Sequence, residues 1–405
     1  LGVKTVDISA NDGDEACEIL GSPFGTPAAT TRFVTKIVEQ TIRAASYTKF
    51  LRPNLAFSIL RSCVHSKLRY VCATTPGVNV ADFDAHIRAT FLKIVSAPEV
   101  PPHMLQSVCG AGLPNYERLA PLLLEESLAK CERLERSGTT VAPVESASQR
   151  YEEILRAENA ELRNAQSTSS KGNHSTLWMR FSPNASTKMT ASEFVDALRY
   201  RCRIPLVRES LTCFCGTQLA PNHDSSVHLL NCQCVTGFTR VHRHDLACST
   251  IRRAAASAGI AVITEPTFYT YANDERRRPD LTLLVAGAPL ALDVTIVTPN
   301  AEPGKAARDA AAAKREKHEE ACQRVGHGFL PIAAEMDGHC DGGLDRVASL
   351  IAENCAAPGL AASISQELKL EFSSAIARGN AGILRCSIER LRAFASHNFS
   401  GTSTL

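Results

Sequence analysis

The sequence predicts a multidomain protein, helical in its first part and mixed α/β in its last, with a small metal-binding segment between. Three observations predict this. Apolar residues recur at three- and four-residue spacing from about 30 to 135. A polar stretch then leads to the cysteine-rich segment "CFCGTQLAPNHDSSVHLLNCQC". From 244 onward, helical and short apolar runs alternate in the order α-β-β-β-α-β, which suits a compact mixed sheet flanked by helices. With 405 residues, the chain is long enough for two or three domains and a sizeable core.

The helical region has four clear segments. "TTRFVTKIVEQTIRAASYTKFL" and "NLAFSILRSCVHSKLRYVCA" both carry helical periodicity. "VADFDAHIRATFLKIVSA" follows a Pro-Gly break, with Asp82 or Asp84 near its start. "NYERLAPLLLEESLAKCERLERSG" ends on a basic turn and a Gly, as helices often do. "GSPFGTPAA" reads as a Gly/Pro loop before the first helix. The expected domains are a helical region over 1–135, a linker over 136–185, a helix plus zinc knuckle over 186–240, a mixed-sheet core over 241–345 and C-terminal helices over 346–405. The linker is Ser/Thr/Asn/Gly-rich around one short charged helix, "RYEEILRAENAELRN". Thr190 is the expected cap of the helix that follows it.

Bulk composition narrows the class. Hydrophobic content is 44% and charged content 21%, ordinary for a soluble globular chain. The net charge of +2 neither demands nor excludes a nucleic-acid partner, so any basic footprint must be local. No run of 18 apolar residues is present, and no membrane span is expected. The polar, acidic start shows no secretory signal, and Leu1 in place of Met suggests a piece of a longer reading frame. Fifteen cysteines, an odd number, then argue for a reducing, intracellular compartment.

Four of those cysteines lie between 213 and 234. Cys213 and Cys215 form a close thiol pair on a Gly-containing turn, while His228 and Cys232, four apart, share a helix face. Two thiolates from a turn, with an imidazole and a thiolate from a helix, make a closed tetrahedral zinc site. His223 and Cys234 are spare candidates. A structural Zn²⁺ there would fold a segment too small and polar to fold alone.

"RRRPDLTLLVAGAPLALDVTIV" carries a second signal. Its two apolar runs read as a hairpin around "AGAP", which brings Asp280 and Asp293 together at one end. Asp293 sits inside an apolar strand, where an unpaired carboxylate is costly. Two such carboxylates suit Mg²⁺ or Mn²⁺, hard cations that prefer oxygen ligands. A lysine is needed beside them, and its usual place, two residues after the second acid, holds Thr295. Lys314 and Lys317, on the next helix, can lean over the sheet instead, with Lys305 a weaker candidate. Glu265 is a candidate third acid. Arg276, Arg277 and Arg278 either grip DNA phosphates or decorate a loop. In Arg243-His244-Asp245, Asp245 reads as a helix cap, while Arg243 and His244 read as a phosphate-contacting pair.

The ordered motifs "CFCG…HLLNC", "RHD", "RRPD" with an Asp in "LDVT", and "KREKH" resemble one family. It is the C-terminal half of non-LTR retrotransposon proteins that carry a restriction-like endonuclease of the P-D-(D/E)-x-K type. The resemblance implies Cys213, Cys215, His228 and Cys232 as zinc ligands, Asp280 and Asp293 as catalytic metal-binding acids, and Lys314 or Lys317 as the displaced basic residue. His318 stands where that family often has Tyr. "EILGSPFG" is similar to the end of a polymerase palm, the helices from 30 onward to a thumb and connector, and "GAGL" and "RGNAGIL" to further elements of such proteins. No Asp-Asp dipeptide occurs, so the chain is not expected to polymerise by itself.

The expected function is nicking of target DNA to prime reverse transcription, with target DNA and element RNA as partners, in the nucleus. No membrane partner and no small-molecule substrate are expected. The rival expectation is a catalytically decayed fragment that binds nucleic acid through the same modules. A zinc-bearing interaction module on a helical scaffold ranks last, because it leaves the Asp280/Asp293 pairing without a role.

Overall fold

The computed structural model describes residues 17–19, 22–137, 144–159, 162, 174–180, 187–221, 223–236, 239–271, 278–285, 287–300, 302 and 304–400. The chain divides into two compact units, Leu1–Arg163 and Asn164–Leu405. Most described residues are helical, and the second unit adds a small mixed sheet, so α and α/β parts are both present.

The first unit opens with a short antiparallel hairpin, β1 (Cys17–Ile19) and β2 (Ser22–Phe24). Helix α1 (Pro27–Tyr47) starts at Thr26, whose hydroxyl accepts from the Ala29 amide, with Pro27 in the first turn, where its missing N–H costs nothing. The loop expected before this helix is therefore shorter than its Gly/Pro content suggested. Helix α2 (Pro53–Ile59) runs through one π-turn (Leu60–Val64) into α3 (His65–Thr74). Helices α4 (Ala81–Ile94), α5 (Pro102–Gln106), α6 (Tyr116–Ser137) and α7 (Ala147–Glu158) follow. Phe57, Phe83, Phe91 and Tyr116 fill the core.

Asp84 does not cap its own helix. Its carboxylate accepts from the Tyr116 and Glu117 amides at 2.9 and 3.0 Å, satisfying the exposed start of α6. Gly110 is obligatory, because a Cβ there would sit 1.7 Å from the Met104 carbonyl oxygen. Helix α7 was expected inside a linker, yet it packs on α6 with Tyr151 and Leu155 buried. Tyr151 also accepts from the Asn115 amide.

The second unit includes Leu177–Met179, a 3-10 turn that buries Trp178 and Met179. Helix α8 (Ala191–Arg201) is capped by Thr190 and Glu193, which bond reciprocally. Strands β3 (Leu211–Thr212) and β4 (Gln218–Leu219) make a small hairpin, followed by α9 (Ser226–Asn231), α10 (Gln233–Thr236) and α11 (Thr239–Ser257). The sheet orders β5 (Ala261–Thr264), β6 (Leu281–Leu284), β7 (Leu290–Val297) and β8 (Gly328–Glu335). The first three are antiparallel, while β7 and β8 are parallel and need a crossover, supplied by α12 (Lys305–Arg324). Helices α13 (Gly343–Glu353) and α14 (Ala361–Ser400) complete the unit.

Both faces of the sheet are covered. Leu281, Leu283, Leu292, Val294 and Ile332 pack with α11, α13 and α14 on one face. Ala291 and Ala333 meet α12 residues Ala307, Ala311 and Cys322 on the other. A strand covered on both faces reads as an unbroken apolar run, which is why "LALDVTIV" does.

Two expectations need correction. The run "IAVITEPTFYTY" (260–271) reads in sequence as one strand, yet the strand covers only Ala261–Thr264; Glu265 turns at φ +46°, and Pro266 has no amide to continue the ladder. Helix α11 begins at Thr239, so Asp245 lies inside it and is not its cap. No helix among the described residues is long and apolar enough to cross a membrane.

Candidate functional site

In the second unit, side chains with metal-binding chemistry gather at the β3–β4 turn and around Asp280. The β3–β4 turn carries Cys213 and Cys215. It is closed by Gly216 at φ +89° and by a Gly216 amide that donates to the Cys213 carbonyl at 2.8 Å. His228 lies on α9, and Cys232 just past its end. The four ligand atoms all lie within 4.8 Å of one another. Cys213 and Cys232 sulfurs are 3.5 Å apart, and Cys215 Sγ is 3.6 Å from His228 Nε2. Around a tetrahedral zinc, two thiolates stand about 3.8 Å apart, and a thiolate and an imidazole about 3.6 Å. Three thiols, one imidazole and this spacing fit zinc. His223 and Cys234 fall outside the group. The knuckle also has a packed foundation: Leu211, Leu219, Leu229 and Leu230 bury against Ile383, Leu384 and Ile388 of α14.

The second group is the acid pair. The β6–β7 register pairs Leu281 with Leu292, so Asp280, just before β6, comes beside Asp293, and the two side chains interact. The Asp280 amide donates to the Leu292 carbonyl at 3.0 Å, and Asp280 Oδ2 accepts from the Val294 amide at 2.6 Å. Asp293 is only 3% exposed. Its Oδ2 lies 2.8 Å from Lys314 Nζ and 3.0 Å from His318 Nε2. These are ion-pair distances without hydrogen-bond alignment, so Oδ2 has no aligned donor. His318 is fully buried, and its Nδ1 lies 2.5 Å from the Tyr271 hydroxyl.

Electrostatics separates the two acids. Burial opposes ionisation of Asp293, but His318, Asp280 and Lys314 outweigh it and hold that carboxyl well below the usual range. Burial pushes Asp280 up, with Asp293 adding to the rise and His244 opposing it. His244 Nε2 is 3.1 Å from Asp280 Oδ2, and its hydrogen bonds to Asp280 and Cys248 push the imidazole up to about 11. Both groups are thus pushed up, Asp280 by burial and His244 by its hydrogen bonds.

The other predicted residues fare differently. Lys317 is exposed on α12, and Lys305 pairs with Asp309 at 2.6 Å. Lys314 and His318, four apart, share the helix face that meets Asp293. Glu265 is exposed and ion-paired with Arg278, and its amide donates to the Asp280 carbonyl at 2.8 Å. Arg276 and Arg277 lie outside the described residues. Arg243 is a correction: it is 3% exposed and donates to Asn380 Oδ1 at 2.7 Å. A guanidinium buried between α11 and α14 cannot reach a phosphate. "RGNAGIL" supplies that contact, because Gly379 has no side chain and lets Arg243 pack against its backbone.

Sequence reasoning missed Tyr271, the His244–Asp280 contact and Cys248. The last had a signal: His244-x-x-x-Cys248 repeats the His228-x-x-x-Cys232 spacing. No protein-family model matches the chain, and no curated protein matches it.

Proposed function

We propose that the second unit is a metal-dependent DNA endonuclease of restriction-like type, within a non-LTR retrotransposon protein. One observation carries this reading: the Asp280 and Asp293 side chains interact where β6 begins beside β7, with Lys314 Nζ 2.8 Å from Asp293. The donor set fits a hard cation, since it offers two neighbouring carboxylates, one of them buried in the sheet beside the Lys314 ammonium. Asp280 and Asp293 would hold Mg²⁺ or Mn²⁺, which activates water and stabilises charge on a departing phosphate oxygen when bound.

The chain's own residues have separate tasks in this reading. Thr295 stands at the usual lysine position, so the task falls to Lys314, whose ammonium offsets the negative charge that carboxylates and phosphate bring together. His318, fixed by Tyr271, holds Asp293 ionised and oriented. His244 holds Asp280 from α11. The knuckle, stabilised by Zn²⁺, and the helices of the first unit would bind target DNA or element RNA. In the element, the nick would expose a 3′-OH for reverse transcription, in the nucleus.

The second reading is a decayed fragment that binds nucleic acid without cutting it; Thr295 at the usual lysine position favours it. The test incubates the full chain with supercoiled plasmid under Mg²⁺, Mn²⁺ or chelator, with DNA binding measured in parallel. Nicking under either metal, abolished by chelator, supports the nuclease. Binding without nicking under both metals supports the decayed reading.

A further inference from the structure

His244, Cys248 and Asp280 form a further cluster of metal-ligating atoms, in which Cys248 has no task in the endonuclease reading. All three ligand atoms lie within 4.8 Å of one another. His244 Nε2 is 3.1 Å from Asp280 Oδ2 and 3.7 Å from Cys248 Sγ. Around a tetrahedral zinc, an imidazole nitrogen stands about 3.3 Å from a carboxylate oxygen and about 3.6 Å from a thiolate. Those two spacings match a zinc site, and because Cys248 Sγ also lies 3.9 Å from His244 Nδ1, a rotation of the ring or the thiol is what lets one ion take both.

Two further features support this. His244 and Cys248 lie four apart on α11, so one helix face presents both, at the spacing used by His228 and Cys232. Behind the ring, Asp245 Oδ1 lies 3.4 Å from His244 Nδ1, a carboxylate placed to fix the ring orientation of a metal-ligating imidazole.

We propose that His244, Cys248 and Asp280 bind Zn²⁺, and that this ion is an inhibitor of the neighbouring acid-pair site. A thiolate and an imidazole select a soft or borderline cation, whereas two carboxylates select a hard one. Three protein ligands leave a fourth position open to water, unlike the closed knuckle. Asp280 belongs to both sets. Zinc bound through its Oδ2 withdraws that carboxylate from Asp293, so zinc and Mg²⁺ compete for one residue. Zinc binding releases the thiol proton, and the imidazolium proton where present, to solvent. The binding claim stands on its own geometry; the inhibitory consequence rests on the endonuclease reading.

The test counts zinc in the full chain by atomic emission, after loading and dialysis into metal-free buffer. The expected result is two ions per wild-type chain, and one in Cys248→Ser and in the near-isosteric Asp280→Asn. One ion in the wild type, or two retained in both variants, overturns the proposal. A variant-free measurement guards against misfolding: the second equivalent of Co²⁺ added to wild type should add a thiolate-to-cobalt absorption band. Its absence also overturns the proposal. In the nicking assay, Cys248→Ser should need on the order of tenfold more zinc for half-inhibition. Unchanged zinc sensitivity overturns the inhibitory role. Absence of nicking in wild type strikes the endonuclease reading and leaves the zinc count unaffected.

Discussion

Lys314 on α12 places its Nζ 2.8 Å from Oδ2 of Asp293 on β7, so the crossover helix delivers a cation to an acid buried in the sheet. This contact distinguishes the two lysines named from sequence. Lys314→Gln should lower the nicking rate by about 10²- to 10³-fold, the scale for losing one preorganised charge-stabilising group. Lys317→Gln, at an exposed position, should change it by less than about threefold. Single-turnover nicking of the two variants checks this; equal losses would contradict the assignment of Lys314.

The knuckle should depend on its metal. Cys213→Ser with Cys232→Ser should release one zinc ion and lower the melting temperature of the second unit. Structural zinc contributes several kcal/mol of folding energy, and the leucines under the knuckle lose their cover. Metal analysis with thermal denaturation reads both effects. Retained zinc would remove these two residues from the ligand set.

Close approach of α11 and α14 predicts a severe effect at one glycine. A Cβ at position 379 would lie 2.4 Å from Arg243 Cγ and 3.0 Å from its Cα. The Cα cannot move without moving α11, so Gly379→Ala should cost about 1–3 kcal/mol. Chemical denaturation of wild type and variant measures it. Gly382, with nothing near its absent Cβ, is the control and should tolerate Ala.

His65 makes the first unit acid-sensitive. Burial lowers its imidazole to about 3, where it packs edge-on to Phe83 and lies against Tyr116. The folded form excludes a proton that the unfolded chain accepts below about 6.5. Stability from this residue is therefore complete above that pH and falls steadily as pH drops toward 3. The loss there reaches about 4 kcal/mol. Melting temperature against pH should fall through this window, and His65→Phe should flatten the curve. An unchanged acid limb would contradict the burial account.

How much of this was legible in the sequence depended on how local each signal was. The strand "LALDVTIV" and the approach of Asp280 to Asp293 were readable because β6 and β7 are neighbours in sequence and pair directly. The knuckle was readable because its ligands cluster within one short segment. Arg243 was misread because its partners, Gly379 and Asn380, are remote in sequence on α14. The choice between Lys314 and Lys317 depended on which α12 face meets the sheet. His318, four residues from Lys314 and fully buried, marks that face. The strand assigned through Tyr271 failed at Glu265-Pro266, a turn that its apolar residues hid. Past that turn the chain brings Tyr271 to His318.

The central claim is that Asp280 and Asp293 jointly make a metal-dependent nicking site. Its most direct test is the Mg²⁺-dependent nicking rate of the full chain beside Asp280→Asn and Asp293→Asn, each folded and DNA-bound. The account predicts nicking by wild type and a loss on the order of 10³-fold or more in each variant. Nicking at the wild-type rate in either variant would contradict it.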